Sequence, residues 1–288
     1  MMSNFQTRGK NAAGPTLGVR SVSLLLLSVV ALCLPGCGKR KNASSSAEPT
    51  LTLYCGAGIR PAAVDLIKAF EKKTGVHVDA TYAGSGRLLG QLAAAKRGDL
   101  FMPGSEFYAD MAIEKKLAIG KTKTTTAYFI PVIFVAKNNP LDIRGLKDFA
   151  EKKLRFGLGD EKAVAIGRRA KRLFEKNDIS LNEVKANQIL TSGTVNELCV
   201  AIQMGNIDAA IVWDADAKQF EGNGEIIEIP PEQNIVSAVP IVRLAFSANP
   251  KKADAFIAFA VSDEGRAIFK KRKYTVIRQI KRGKTNSK

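Results

Sequence analysis

The sequence predicts an α/β fold of two wound, mostly parallel sheets with flanking helices. Three observations predict it. Short apolar runs alternate with amphipathic stretches, which is the pattern of strand–helix–strand crossover units. The alternation runs once over residues 51–102 and again over residues 128–213. Four loops of glycine and small residues each stand directly before a helix.

Taken in order, residues 51–54 read as a buried strand. Pro61 then opens a helix to residue 73, with Val64, Ile67 and Phe70 inward and Gly75 as its stop. Residues 76–82 form the next strand. After Gly84-Ser85-Gly86 a helix carrying Leu88, Leu89 and Leu92 runs to about residue 97, Gly98 caps it, and residues 99–102 make a third strand. In the second half, residues 128–136 read as one long apolar strand, 146–153 as a short helix and 154–158 as a strand. A loop at 159–167 leads into a helix with Ile166, Ala170, Leu173 and Phe174 on one side. Residues 191–196 enter a helix at 195–204 that Gly205 ends, and 207–213 return as a buried strand. Strands at 226–229 and 239–246 and helices at 251–261 and 263–271 close the fold. The expected division is lobe one at 51–127 and 241–277 and lobe two at 128–240.

The first 36 residues read as an export signal. Arg8, Lys10 and Arg20 precede an apolar run at 22–34 that is short for a membrane span, and Leu34-Pro35-Gly36-Cys37 follows. This segment resembles the lipobox of bacterial lipoproteins, which implies lipidation at Cys37 and membrane attachment outside the cytoplasm. Residues 37–50, small and polar, read as a tether. Residues 278–288 read as a basic, disordered tail, solvated rather than bound to nucleic acid because no aromatic residues alternate with its charges. The chain carries 44 Lys and Arg against 27 Asp and Glu, a net +17, and loss of three leader charges leaves +14. Such a balance suits anionic partners.

Cys33 leaves with the leader, so only Cys55 and Cys199 remain in the body, and His77 is the one histidine. There is no CxxC. Zinc sites built from Cys and His, and nucleophile systems that need a histidine, are therefore excluded. Cys199 shares a helix face with Val195, Leu198 and Ile202, which reads as a buried thiol. Asp99, Asp160, Asp214 and Asp216 read as helix caps or strand-edge residues rather than metal ligands.

The chemistry sits in the loops at residues 55–60, 83–87, 164–167 and 192–196. All are poor in acid, and each presents free backbone N–H groups and the positive end of a helix dipole. Glycine lets the backbone come close to a bound anion. Gly56-Ala57-Gly58 with Asp79 about twenty residues on also mimics a dinucleotide fingerprint, but Pro61 stands where its third glycine belongs.

Residues 54–60 (YCGAGIR), 82–86 (YAGSG), 98–102 (GDLFM), 157–160 (GLGD), 211–216 (IVWDAD) and 262–269 (SDEGRAIF) together resemble the periplasmic molybdate-binding proteins of ABC importers. The resemblance runs in matching order from about residue 51 to 277. It implies the two-lobed periplasmic-binding-protein fold with a ligand cleft between the lobes, no catalysis, no resident cofactor and a monomer that hands molybdate or tungstate to a membrane permease. A deprotonated oxyanion is held by donors alone. Carried over by position, the ligand residues are Ser85, the backbone near Ile166, Val195 and Trp213. Two positions depart from the family. Gly58 stands where a hydroxyl residue is usual, with Arg60 two residues on as a candidate replacement, and Trp213 replaces a tyrosine. Sulfate, phosphate or an organic carboxylate, the last clamped by Arg60 and Arg87, are the alternatives on the same architecture.

Overall fold

The computed structural model describes residues 50–276. The expected leader, Cys37, nearly all of the tether and the basic tail lie outside the described residues.

The first half of the chain runs β1 (Leu51–Gly56), α1 (Arg60–Thr74), β2 (Val78–Ala83), α2 (Ser85–Ala95), β3 (Leu100–Met102), α3 (Glu106–Glu114) and β4 (Thr124–Phe129). Next come β5 (Pro131–Ala136), α4 (Asp148–Glu151), β6 (Phe156–Gly159), α5 (Ala165–Lys176), α6 (Leu181–Asn187), β7 (Gln188–Ser192), α7 (Val195–Gln203), β8 (Ala209–Trp213), α8 (Asp214–Ala217) and β9 (Gly224–Glu228). The chain then returns through β10 (Ser237–Arg243) and ends in α9 (Pro250–Ala260) and α10 (Asp263–Lys271).

These strands make two five-stranded sheets, ordered β2-β1-β3-β10-β4 and β7-β6-β8-β5-β9. Each is mixed rather than mostly parallel. Three strands pair in parallel, and the other two join antiparallel. The antiparallel strands are those next to the lobe crossings. β4 passes into β5 with no crossover helix, so β5 enters the second sheet against the direction of β8.

The run expected as one strand at 128–136 is broken at Ile130, because Tyr128 and Phe129 belong to the first sheet. Residues 237–240 also pair in the first sheet. The lobe changes therefore fall at Ile130 and in the segment 229–236, not at 127/128 and 240/241. Apolar residues continue across the first crossing because both strands are core strands, so no polar residue marks the change. Asp214 fixes the crossing by donating its N–H to the Ile130 carbonyl at 2.8 Å and accepting the Ile130 N–H on Oδ1 at 3.1 Å.

Helix α1 carries Pro61 in its first turn and stops at Gly75, whose φ of 68° lets its N–H close on the Glu71 carbonyl. It buries Ala63, Leu66, Ile67 and Phe70, and the Phe70 ring meets Phe256 edge-on at 5.0 Å. Val64 is only half-buried. Cys55 and Cys199 are free and buried, and burial pushes both thiols up. His77 is exposed between Glu71 and Asp79, at 2.7 and 3.1 Å. A second polar link between the lobes lies beside β10, where buried Arg169 of α5 donates to Ser237 Oγ at 2.8 Å and to Glu106 Oε1 of α3 at 3.4 Å. The described residues include no helix long and apolar enough to cross a membrane.

Candidate functional site

Loops at the carboxyl ends of strands from both sheets meet at one small cavity. Gly56, Ala57, Gly58 and Ile59 follow β1, and Ala83, Gly84 and Ser85 follow β2; the second lobe brings Val164, Ala165, Thr194 and Val195. Gly104, Phe129 and Trp213 complete the wall. About 20 Å³ is open to the centres of water-sized spheres, enough for about one water by volume. No lining residue carries a charge.

The lobes are closed on each other here. Gly86 donates its N–H to the Ala163 carbonyl across the junction at 2.9 Å. A Cβ on Gly84 would stand 2.5 Å from the Ala163 oxygen, and one on Gly86 would stand 2.1 Å from the Lys162 oxygen. Backbone meets backbone at this contact, which only glycine allows.

Donors face the cavity from both sides. Ser85 is buried, and its Oγ accepts the Gly104 N–H at 3.0 Å, which leaves the hydroxyl hydrogen to donate. Helices α2, α5 and α7 begin at the wall, where first-turn N–H groups have no partner inside the helix. No side chain caps α2 or α5. In α7 Thr194 accepts from Glu197, so the cap leaves the N–H of Val195 uncommitted. Trp213, 2% exposed, stacks on Phe129 with centroids 4.8 Å apart and planes 5° apart. Its indole N–H is its only donor.

Four of the six residues expected at the site, Gly58, Ser85, Val195 and Trp213, line the cavity. Arg60 does not. It opens α1 on the exposed side, and its guanidinium lies over the Tyr82 ring, 5.3 Å from the centroid, where the ring face attracts a cation. Val164 and Ala165 line the cavity next to Ile166, which was expected there through its backbone and whose N–H lies in the first turn of α5. Helix α5 starts at Ala165, so the Ile166 side chain turns into the core and is fully buried. Arg87 is exposed and outside the wall, with its Nη2 reaching toward Gly193 of the other lobe.

Sequence reasoning missed Gly104 and Phe129. Pro103-Gly104-Ser105 has the same small composition as the four chosen loops and was the available signal. Phe129 was hidden inside an apolar strand. Position 58 also gains a physical reason for glycine, since a Cβ there would stand 2.8 Å from Asp216 Oδ2 and 2.9 Å from Val195 Cγ1.

The four aspartates divide. Asp99 accepts from Thr52 N–H at 2.9 Å and Ser247 hydroxyl at 2.6 Å. Asp160 accepts from the N–H groups of Lys162 and Ala163, and Asp214 pairs with Lys218 at 3.0 Å. Asp216 neither caps nor edges anything: it is fully buried and neither carboxyl oxygen has a partner. Burial first, and then the nearby Asp214, push its carboxyl well above the usual carboxylate range. Among the described residues no cluster of three or more His, Cys, Asp or Glu could hold a metal ion. Asp79, the acid of the dinucleotide mimic, is exposed and bonded to His77.

The family model for bacterial extracellular solute-binding proteins matches residues 51–274. A putative binding protein of Haemophilus influenzae is 31% identical over 219 residues, covering 75% of this chain and 86% of that protein. The molybdate-binding protein ModA of Escherichia coli is 22% identical over 234 residues, 80% of this chain and 90% of its own. Among solved structures, the sulfate-binding protein SubI of Mycobacterium tuberculosis superposes with a TM-score of 0.71 at 16% identity, covering 80% of this chain and 88% of that one. The matched stretch includes both sheets and the whole cavity wall, and the chain belongs to the bacterial extracellular solute-binding proteins.

Proposed function

We propose that this chain captures a small, fully deprotonated tetrahedral oxyanion between its lobes, molybdate or tungstate, and delivers it to an ABC permease from a lipid anchor on Cys37. The observation that carries the reading is the cavity wall. It joins the Ser85 hydroxyl, the Trp213 ring and three helix N-termini with no acidic or basic side chain. Such a wall offers donors to a dianion and no carboxylate to accept from a protonated oxygen. Dihydrogen and monohydrogen phosphate both carry a proton that would go unpaired there, which disfavours them. The ModA relative supports the choice of molybdate.

Sulfate is the second reading, favoured by the small cavity and by the removal of a side chain at Gly58 without any gain of space, since Asp216 and Val195 fill that volume. Calorimetric titration of the purified protein with molybdate, tungstate, sulfate and phosphate tests both. The expected result is tight binding of molybdate and tungstate and weak binding of phosphate. A preference for sulfate selects the second reading, and phosphate as the best ligand would reject both.

A further inference from the structure

Asp216 is a carboxyl placed where ionisation is least tolerated, and lobe one supplies part of its enclosure. Gly58, after β1, packs directly on its oxygens. Tyr274, whose ring is tilted 42° against Phe129 and meets Phe269 edge-on, donates its hydroxyl to the Gly58 carbonyl and lies near Asp216. Lobe two supplies the rest through Val195 and Cys199 of α7 and through Asp214 on its own helix. No cation is among these neighbours: Lys218 is spent on Asp214, and Cys199, Tyr274 and the adjoining Cys55 are held in their neutral forms by burial. An unpaired carboxylate in such a place loses its hydration with no opposite charge or hydrogen bond in return, so the neutral carboxyl is the favoured form.

We propose that closing the two lobes puts a proton on Asp216, so that closure, and with it ligand capture, takes up one proton. Opening carries Gly58 and Tyr274 away with lobe one and lets water reach the carboxyl. The open form then sheds a proton that the closed form keeps. The sign follows: closure is fully favoured at pH below the ordinary carboxylate range, and is lost as pH rises through the higher value that the closed form imposes. A carboxylate behind Gly58 and Val195 would also repel a dianion in the cavity, so both effects act in the same direction.

Lobe movement can be read without any ligand, because the chain has a single tryptophan and Trp213 of lobe two stacks on Phe129 of lobe one. The expected result is a one-proton transition in Trp213 fluorescence with pH in the wild type. It should be absent from Asp216→Asn, which keeps the shape without the titration. A flat wild-type profile, or the same transition in the variant, would overturn the proposal. Calorimetric titration of the wild type with molybdate, in two buffers of different ionisation heat, gives a second measurement that needs no variant and decides alone where Asp216→Asn fails to fold. Uptake approaching one proton is expected, with affinity falling about tenfold per pH unit above the transition. Binding with no proton uptake would overturn it. The molybdate arm rests on the capture reading. If no oxyanion binds while the fluorescence transition appears only in the wild type, the proton-linked closure stands and the oxyanion reading falls.

Discussion

Lobe one and lobe two carry sheets of one design, three parallel strands followed by two antiparallel, and each sends the carboxyl ends of its strands to the same cavity. Their contributions differ in kind. Lobe one supplies a side-chain donor, Ser85, whose hydroxyl is aimed by the Gly104 N–H, together with glycines that let its backbone touch the opposite lobe. Lobe two supplies backbone dipoles at the starts of α5 and α7, and behind them the unpaired carboxyl of Asp216. The same topology thus gives lobe one a replaceable hydroxyl beside one helix start, and lobe two a pair of helix starts beside the single ring of Trp213. Substitution at a side chain can remove the hydroxyl and cannot remove the N–H groups of the helix starts, except by proline.

The comparison breaks most completely at Gly86. Gly86→Val places side-chain atoms on the Lys162 carbonyl, and overpacking at such a contact costs ~1–3 kcal/mol or more. Oxyanion affinity should fall by roughly a hundredfold while the thermal midpoint stays near wild type, because each lobe keeps its own core. Equal affinity in calorimetry would show that the lobes do not need this contact.

The next pair sharpens the contrast between donors. Ser85→Ala removes the lobe-one hydroxyl, and Val195→Pro removes the lobe-two N–H at the first helical position, where proline is tolerated. Thr194 is already extended, as a residue before proline requires. Each should weaken binding by about 1.5–3 kcal/mol, tenfold or somewhat more. A loss confined to Ser85→Ala would mean that lobe two holds the anion through its field rather than through that bond. The smallest effect belongs to Arg60. Its cation lies over Tyr82, so Arg60→Ala should change affinity less than twofold at high salt, with a modest change at low salt through screening.

Much of this site was legible because glycine before a helix signals close approach and free N–H groups, and Gly58, Ser85 and Val195 all carried that signal. Arg60 misled because charge near an anion loop looks like a ligand, and a sequence does not show that Tyr82 is available to receive it. Around Ile166 the sequence marked the start of α5, but nothing in Val164-Ala165-Ile166 marks which residues form the wall. The lobe crossing at Ile130 was invisible because the strands on either side are equally apolar. β7 was missed for a related reason. It is a polar edge strand with Ile189 59% exposed, and its residues give no alternation to follow. Asp216 could be seen in the sequence, but its lack of a partner is a property of packing between lobes distant in the chain.

The two crossings have different mechanical roles. One is a single residue, Ile130, clamped at both its N–H and its carbonyl by Asp214. The other is the segment 229–236, eight residues between β9 and β10. A short clamped joint fixes where two bodies turn, and a longer strap follows whatever arc that joint allows. The axis of opening therefore passes close to Ile130, and displacement grows with distance from it. Phe129 and Trp213 flank that joint directly, so a turn about it changes the angle and overlap of their stacked rings. No covalent link spans the contact of Gly84 and Gly86 with Lys162 and Ala163, so a turn about the joint parts it while the crossings hold.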